Sequence, residues 1–217
     1  TPVTNGDIEV NNILTKKIST LTPEIPIISE ETSSNKKNEN LNNFWLIDPI
    51  DGTSSYINNK DEFTINAALI INKKPVLGVI NAPDKKRLFY SYAPSNSFEI
   101  VNNQEINLIN QKKKNINLIT AVSYSNELKP DILKLHKEFK VNKYQKMKSS
   151  LKFCVIAAGE FDLYIAEPRA YEWDIAAGHA ILEHAGGTLK DFNGNEIEYG
   201  KADFKNPSLI LRGKHIS

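Results

Sequence analysis

The sequence predicts a layered α/β architecture in two halves, and three observations predict it. Residues 44–108 carry short apolar runs separated by turn sequences, the pattern of an antiparallel meander. Residues beyond about 115 alternate strand-like with helix-like segments, the signature of an α/β layer. Between them stands the basic triplet Lys112-Lys113-Lys114, a solvated loop that divides the chain into halves 1–111 and 112–217.

The first element is a helix. Val10, Ile13, Leu14, Ile18 and Leu21 form one stripe, and Thr4 with Asp7 three residues on outlines a capping box. Pro23 and Pro26 end it. Ile25–Ser29 reads as a short strand with Glu30 and Glu31 at its tip, and 32–43 as a polar loop. Phe44–Ile47 reads as a buried strand that stops at Asp48-Pro49, since proline pushes the residue before it toward extended geometry. Phe63–Ile71, Val76–Asn81 and Leu88–Tyr92 are the meander strands, turning at 72–74 and 84–85. Ser97–Leu108 is a further hairpin around Asn102-Asn103. In the second half, Ile116–Val122 is a strand, Pro130–Phe139 and Leu151–Ala158 are helices, and Asp162–Ile165 is a strand. Ile175–Ala185 is a helix stopped by Gly186-Gly187, and a closing strand or hairpin follows.

Bulk properties exclude several classes. At 217 residues, with 27 basic and 26 acidic side chains, the chain can bury a sizeable core and has no general attraction for nucleic acid. One cysteine, Cys154, rules out an intrachain disulfide framework, suits a reducing compartment and reads as an inert packing residue. No run is long and apolar enough to span a membrane. The start at Thr1 leaves targeting open. The expected location is cytoplasmic, with peripheral attachment to the cytoplasmic face of the inner membrane left open.

The chemistry concentrates in Phe44–Thr53. Asp48 and Asp51 share one tight turn, and Gly52-Thr53 follows as a helix opening whose free N–H groups suit an anion. Hard cations such as Mg²⁺ take carboxylate oxygens. Glu30 and Asp174 join the candidates, because both stand where a strand ends or a helix begins. Taken singly, each has an ordinary explanation: a loop charge for Glu30, an N-cap for Asp51, a dipole-stabilised carboxylate for Asp174.

Together these residues resemble a known family. Phe44–Thr53 is similar to the first signature of the inositol monophosphatase superfamily. Trp173–Gly178 with Glu183–Gly187 is similar to the second, about 120 residues later. Pro2–Thr4 with Asp7, Ile28–Glu31, Glu62–Ile70 and Ser149–Cys154 extend the resemblance over essentially the whole chain. They bring it nearest the bacterial 3'(2'),5'-bisphosphate nucleotidase branch. Members of that superfamily carry a further helical segment ahead of the position of Pro2.

The resemblance implies a layered αβαβα sandwich of the sugar-phosphatase type and a site holding two or three Mg²⁺ ions. Glu30, Asp48 and the Ile50 carbonyl would hold one ion. Asp48 would bridge to another, completed by Asp51 and Asp174. Asp7 and Thr53 would orient and deprotonate the attacking water, and the N–H groups of Gly52 and Thr53 would bind phosphate oxygens. Ser149, Ser150 and Lys152, with Asp174, would contact the substrate, with a second phosphate near 149–152; those residues read equally as an N-cap and a surface lysine. The implied activity removes the 3'-phosphate of adenosine 3',5'-bisphosphate, or of its phosphosulfate relative, and is sensitive to Li⁺. The implied partner is thus a small phosphorylated metabolite, with homodimerisation open.

Three departures keep an inositol or sugar phosphate as the rival substrate. The arginine of the branch's Tyr-Pro-Arg stretch is displaced to Arg169, Glu167 stands where inositol monophosphatases carry a substrate-contacting glutamate, and Lys148 replaces a glycine. A silent metal- and nucleotide-binding sensor is the remaining alternative. His179 and His184 read as pocket rim or packing, and Tyr171 and Glu172 as turn residues or substrate contacts.

Overall fold

The computed structural model describes residues 3–35, 41–111 and 118–216. In chain order the helices are α1 (Asn5–Leu21), α2 (Thr53–Ile57), α3 (Pro130–Glu138), α4 (Leu151–Ala157) and α5 (Glu172–His184). The first-half strands are β1 (Ile27–Ser29), β2 (Phe44–Asp51), β3 (Thr64–Ile71), β4 (Lys74–Ala82), β5 (Arg87–Tyr92), β6 (Ser97–Val101) and β7 (Gln104–Asn107). The second half adds β8 (Thr120–Ser123), β9 (Lys143–Lys146), β10 (Leu163–Ala166), β11 (Thr188–Lys190) and β12 (Leu209–Arg212).

One sheet runs β1-β2-β3-β4-β5-β6-β7, with β1 parallel to β2 and every later neighbour antiparallel. The other runs β11-β12-β10-β8-β9 and is mixed. Helix α1 packs on β2 at the outside of the first sheet, and α3 packs on β10 at the outside of the second. Between the sheets lie α4 and α5, giving an αβαβα layering. Every residue of α4 is buried, and so are ten of the thirteen residues of α5. A helix buried on nearly every side belongs in such a middle layer. The core joins both halves, running from Ile28, Leu46 and Phe89 through Phe153 and Ile181 to Leu211. Close approach is built in at Gly78, where a Cβ would stand 2.2 Å from the Ala177 carbonyl oxygen on α5.

Several boundaries differ from expectation. Helix α5 begins at Glu172, three residues ahead of Ile175, because Asp174 Oδ2 accepts the Tyr171 N–H at 2.7 Å and closes an extra turn. Residues 30–35, the expected strand tip and the start of the expected polar loop, form a 3₁₀ turn, and 36–40 lie outside the described residues. Of the expected strand 116–122, the described part forms a strand at Thr120–Ser123. The triplet Lys112–Lys114 also lies outside the described residues. Strand β9 was not legible: Lys143–Lys146 is exposed along its whole length, so no apolar alternation marks it.

Candidate active site

Strand β2 shows how the local sequence positions two carboxylates. Asp48 faces Asn66 and Asp51 faces Thr64 across the ladder to β3, so three steps on β2 span two on β3. Pro49 sits in the irregularity, which suits a residue without an N–H to donate. On a regular strand, residues three apart face opposite sides; the bulge re-aims them. Asp48, Asp51 and, from the first turn of α5, Asp174 each bring a carboxylate oxygen within 4.8 Å of the other two. Glu30, at the end of β1, reaches Asp48 with a hydrogen bond and adds its charge.

Four acidic groups this close strain the free protein. Asp48 is almost wholly buried, and burial first, then Asp51, Asp174 and Glu30, push its carboxyl well above the usual range. Asp174 is pushed up to about 8, by burial and then by Asp51. Glu31 next door is raised by burial, Glu30 and Asp7. Asp48 Oδ1 is buried without a hydrogen-bond partner. An all-oxygen donor set with an orphaned buried oxygen, destabilised by its own repulsion, fits hard divalent cations such as Mg²⁺.

The remaining predicted residues sit as follows. The Ile50 carbonyl accepts the Thr53 hydroxyl at 3.1 Å. Gly52 has φ +94° and caps α2, and a Cβ there would lie 2.8 Å from the Glu62 carbonyl oxygen, so the turn requires glycine. The first N–H groups of α2 have no acceptor within the helix. Asp7 is buried, and its Oδ2 accepts both the N–H (2.7 Å) and the hydroxyl (2.5 Å) of Thr4.

Ser150 stitches the two halves together. Its backbone N–H donates to Asp51 Oδ2, and its Oγ lies 2.5 Å from that oxygen and 3.1 Å from the Asp174 carbonyl oxygen. Asn66 Nδ2, on β3, donates to the same Oγ at 2.7 Å. Ser149 is buried with φ +55°, and its carbonyl accepts the Lys152 ammonium. Burial lowers the Lys152 ammonium to about 8, with Asp51 opposing that shift and Arg169 adding to it.

A small cavity of about 100 Å³ opens from Asp51 and Asp174 past Ser149, Ser150 and Lys152 to Tyr124, Tyr164 and Arg169. It meets a larger groove of about 620 Å³ at Tyr124, Tyr164, Ala166 and Arg169. Asn66 and Tyr124 were missed in the sequence. Asn66 lies in an ordinary strand, and its one cue is its register opposite Asp48, while Tyr124 follows β8 with no motif around it. Glu172, weighed as a turn residue or substrate contact, is fully buried and accepts the N–H groups of Gly200 and Lys201. His179 is buried, with Nδ1 2.9 Å from the Tyr199 hydroxyl. Cys154 is buried, and burial pushes its thiol well above the ordinary range.

Comparison with known proteins agrees with this architecture. The model of the inositol monophosphatase family matches residues 1–215. The 3'(2'),5'-bisphosphate nucleotidase CysQ of Buchnera aphidicola is 39% identical over 206 residues, covering 92% of this chain and 74% of that protein. The crystal structure of CysQ from Bacteroides thetaiotaomicron superposes with a TM-score of 0.74 at 28% identity, covering 92% of this chain and 82% of that one. An IMPase/NADP phosphatase complexed with Mg²⁺ and phosphate shares the fold, with a TM-score of 0.80 at 22% identity over 99% of this chain and 78% of that one. With two signature segments meeting at one carboxylate cluster, the chain belongs to the inositol monophosphatase family, as a CysQ-like phosphomonoesterase.

Proposed function

We propose that this chain is a Mg²⁺-dependent phosphatase that removes the 3'-phosphate of adenosine 3',5'-bisphosphate, giving adenosine 5'-monophosphate and phosphate. The convergence of Asp48, Asp51 and Asp174, with Glu30 against Asp48, carries this reading. Glu30, Asp48, Asp51, Asp174 and the Ile50 carbonyl would hold the ions. Bound Mg²⁺ supplies positive charge beside the transferring phosphoryl group and makes water more acidic.

The chain's own residues do the rest. The N–H groups of Gly52 and Thr53 receive phosphate oxygens, with glycine leaving room for close approach. Thr53, fixed by the Ile50 carbonyl, and Asp7, fixed by Thr4, orient the attacking water and take up its proton. Ser150 and Asn66 hold Asp51 in place, the outer-layer support that metal carboxylates require. The substrate's remainder leaves past Lys152 into the larger groove, whose size suits a nucleoside. The names of relatives such as the Buchnera CysQ support the bisphosphate assignment.

The rival substrate, an inositol or sugar monophosphate, draws on Glu167. That carboxylate lines the larger groove and is paired with Lys129, which leaves it less able to bind a sugar hydroxyl. The test is phosphate release from adenosine 3',5'-bisphosphate and from inositol 1-phosphate, with and without Mg²⁺. The expected result is Mg²⁺-dependent release with kcat/KM at least about tenfold higher on the nucleotide. A tenfold preference for the inositol phosphate, or release without a divalent ion, would overturn the reading.

A further inference from the structure

The near-neutral charge of the whole chain hides a local excess. Residues 129–148, from the start of α3 to just beyond β9, hold seven lysines against two carboxylates, Asp131 and Glu138. Between the C-terminal turn of α3 and β9 lies a cavity of about 420 Å³, with His136, Lys137, Lys140, Lys143 and Tyr144 in its lining. No carboxylate lines it. Lys129 and Lys134 pair with Glu167 and Glu138, while among the described residues the three lysines of the cavity make no ion pair.

Ordinary structure accounts for part of this. Basic residues in the last turn of α3 offset its dipole, and lysines guard β9, an exposed edge strand. Neither explains the imidazole. His136 is 5% exposed, its ring meets that of Tyr144 edge-on with centroids 5.7 Å apart, and its Nε2 is buried without a hydrogen-bond partner. An orphaned ring nitrogen beside three unpaired ammonium groups is a donor set for phosphate, and the tyrosine offers a face for a base.

Position ties this cavity to the candidate active site. The Tyr144 hydroxyl donates to the Asn126 carbonyl at 2.6 Å, and the flanking residues Ser125 and Glu127 line the larger groove. Helix α3 borders both, with Ile132 in the groove and Leu133 in the cavity. Half-open tyrosine rings mark both places, Tyr124 in the groove at 40% exposure and Tyr144 in the cavity at 41%. Basic side chains interleaved with open aromatic faces track single-stranded nucleic acid. With a 3'-phosphate at the carboxylates, everything on its 5' side must leave through the groove.

We propose that this chain also removes the terminal 3'-phosphate of short single-stranded oligonucleotides, whose upstream backbone runs along α3 to the cavity of His136, Lys140, Lys143 and Tyr144. The step is the same ester hydrolysis. Water attacks the terminal phosphorus, the bond from phosphorus to the 3'-oxygen breaks, and a 3'-hydroxyl and inorganic phosphate result. The inference rests on the bisphosphate reading above and extends it: the 5'-phosphate of the mononucleotide becomes a phosphodiester in the longer substrate.

The experiment measures phosphate release with Mg²⁺ from adenosine 3',5'-bisphosphate and from a 3'-phosphorylated triadenylate. It compares wild type with the double variants Lys140→Gln/Lys143→Gln and Lys140→Arg/Lys143→Arg. Both lysines are exposed and stand outside the carboxylate cluster, so the fold and the bisphosphate rate should hold. Wild type should hydrolyse both substrates. The Gln pair should raise KM for the triadenylate by about fivefold or more and change that for the bisphosphate by less than about twofold. The Arg pair, which keeps both charges, should match wild type. A fourfold rise in salt should cost the triadenylate about sevenfold more than the bisphosphate, the slope for two further phosphate contacts on a single strand. No release from the triadenylate, or an equal KM for it in wild type and the Gln pair, overturns the inference and leaves the bisphosphatase reading in place. No release from the bisphosphate overturns the reading on which it rests.

Discussion

At the inner end of the site, Asp48 and Asp51 share one bulged strand, and Asp174 and Ser150 meet them from α5 and the start of α4. At the outer end, Tyr124, Lys152 and Arg169 come from three separate segments and meet through an aromatic ring, with exposed loop residues on one side. The inner end is over-determined: each carboxylate touches another carboxylate or a backbone donor. On the proposed function, chemistry that must hold its geometry would sit there, and substrate contacts would sit where loops can vary.

The comparison can be broken first at Asp51. Changing it to Asn preserves shape and removes one of the four carboxylates, so phosphate release should fall by about a thousandfold or more, a loss of several kcal/mol of transition-state stabilisation. Circular dichroism should be unchanged. Equal rates in variant and wild type would remove the carboxylate cluster from the reaction.

Ser150 sharpens the boundary between the two ends. Its hydroxyl lies against Asp51 while its residue lines the smaller cavity. If it acts through Asp51, Ser150→Ala should weaken Mg²⁺ by about 10–100-fold. The losses on adenosine 3',5'-bisphosphate and adenosine 3'-monophosphate should then be equal. A loss confined to the bisphosphate would move Ser150 to the substrate end.

The two ends were also unequally legible in the sequence. The inner end was readable because Asp48-Pro49-Ile50-Asp51-Gly52-Thr53 is contiguous and, with Trp173–Gly178, resembles a family signature; singly, each carboxylate had an ordinary explanation. The layered fold followed from the apolar runs and intervening turns of the first half and from the alternation of strand-like and helix-like segments beyond about residue 115. What the sequence withheld lies in tertiary register. Asn66 is one polar residue in a buried strand until β2 is laid against it. Tyr124 and Arg169 are 45 positions apart in the chain, and their stacking depends on how the loops after β8 and β10 fold. Strand β9 offered no apolar face to read, since its pairing with β8 is a backbone matter.

The most direct test of the carboxylate cluster is calorimetric titration of Mg²⁺ into the metal-free protein at pH 7, in two buffers of different ionisation enthalpy. Asp48 and Asp174 have raised pKa values, Asp174 to about 8, so the free protein holds protons there that the unfolded chain has already lost. The stability of the metal-free protein therefore falls as pH rises from about 4 through 8, and Mg²⁺, which needs the ionised carboxylates, reverses that trend. The account predicts saturable binding that releases protons to the buffer and tightens as pH rises toward 8. Absence of binding at millimolar Mg²⁺, or binding with no proton release, would contradict it.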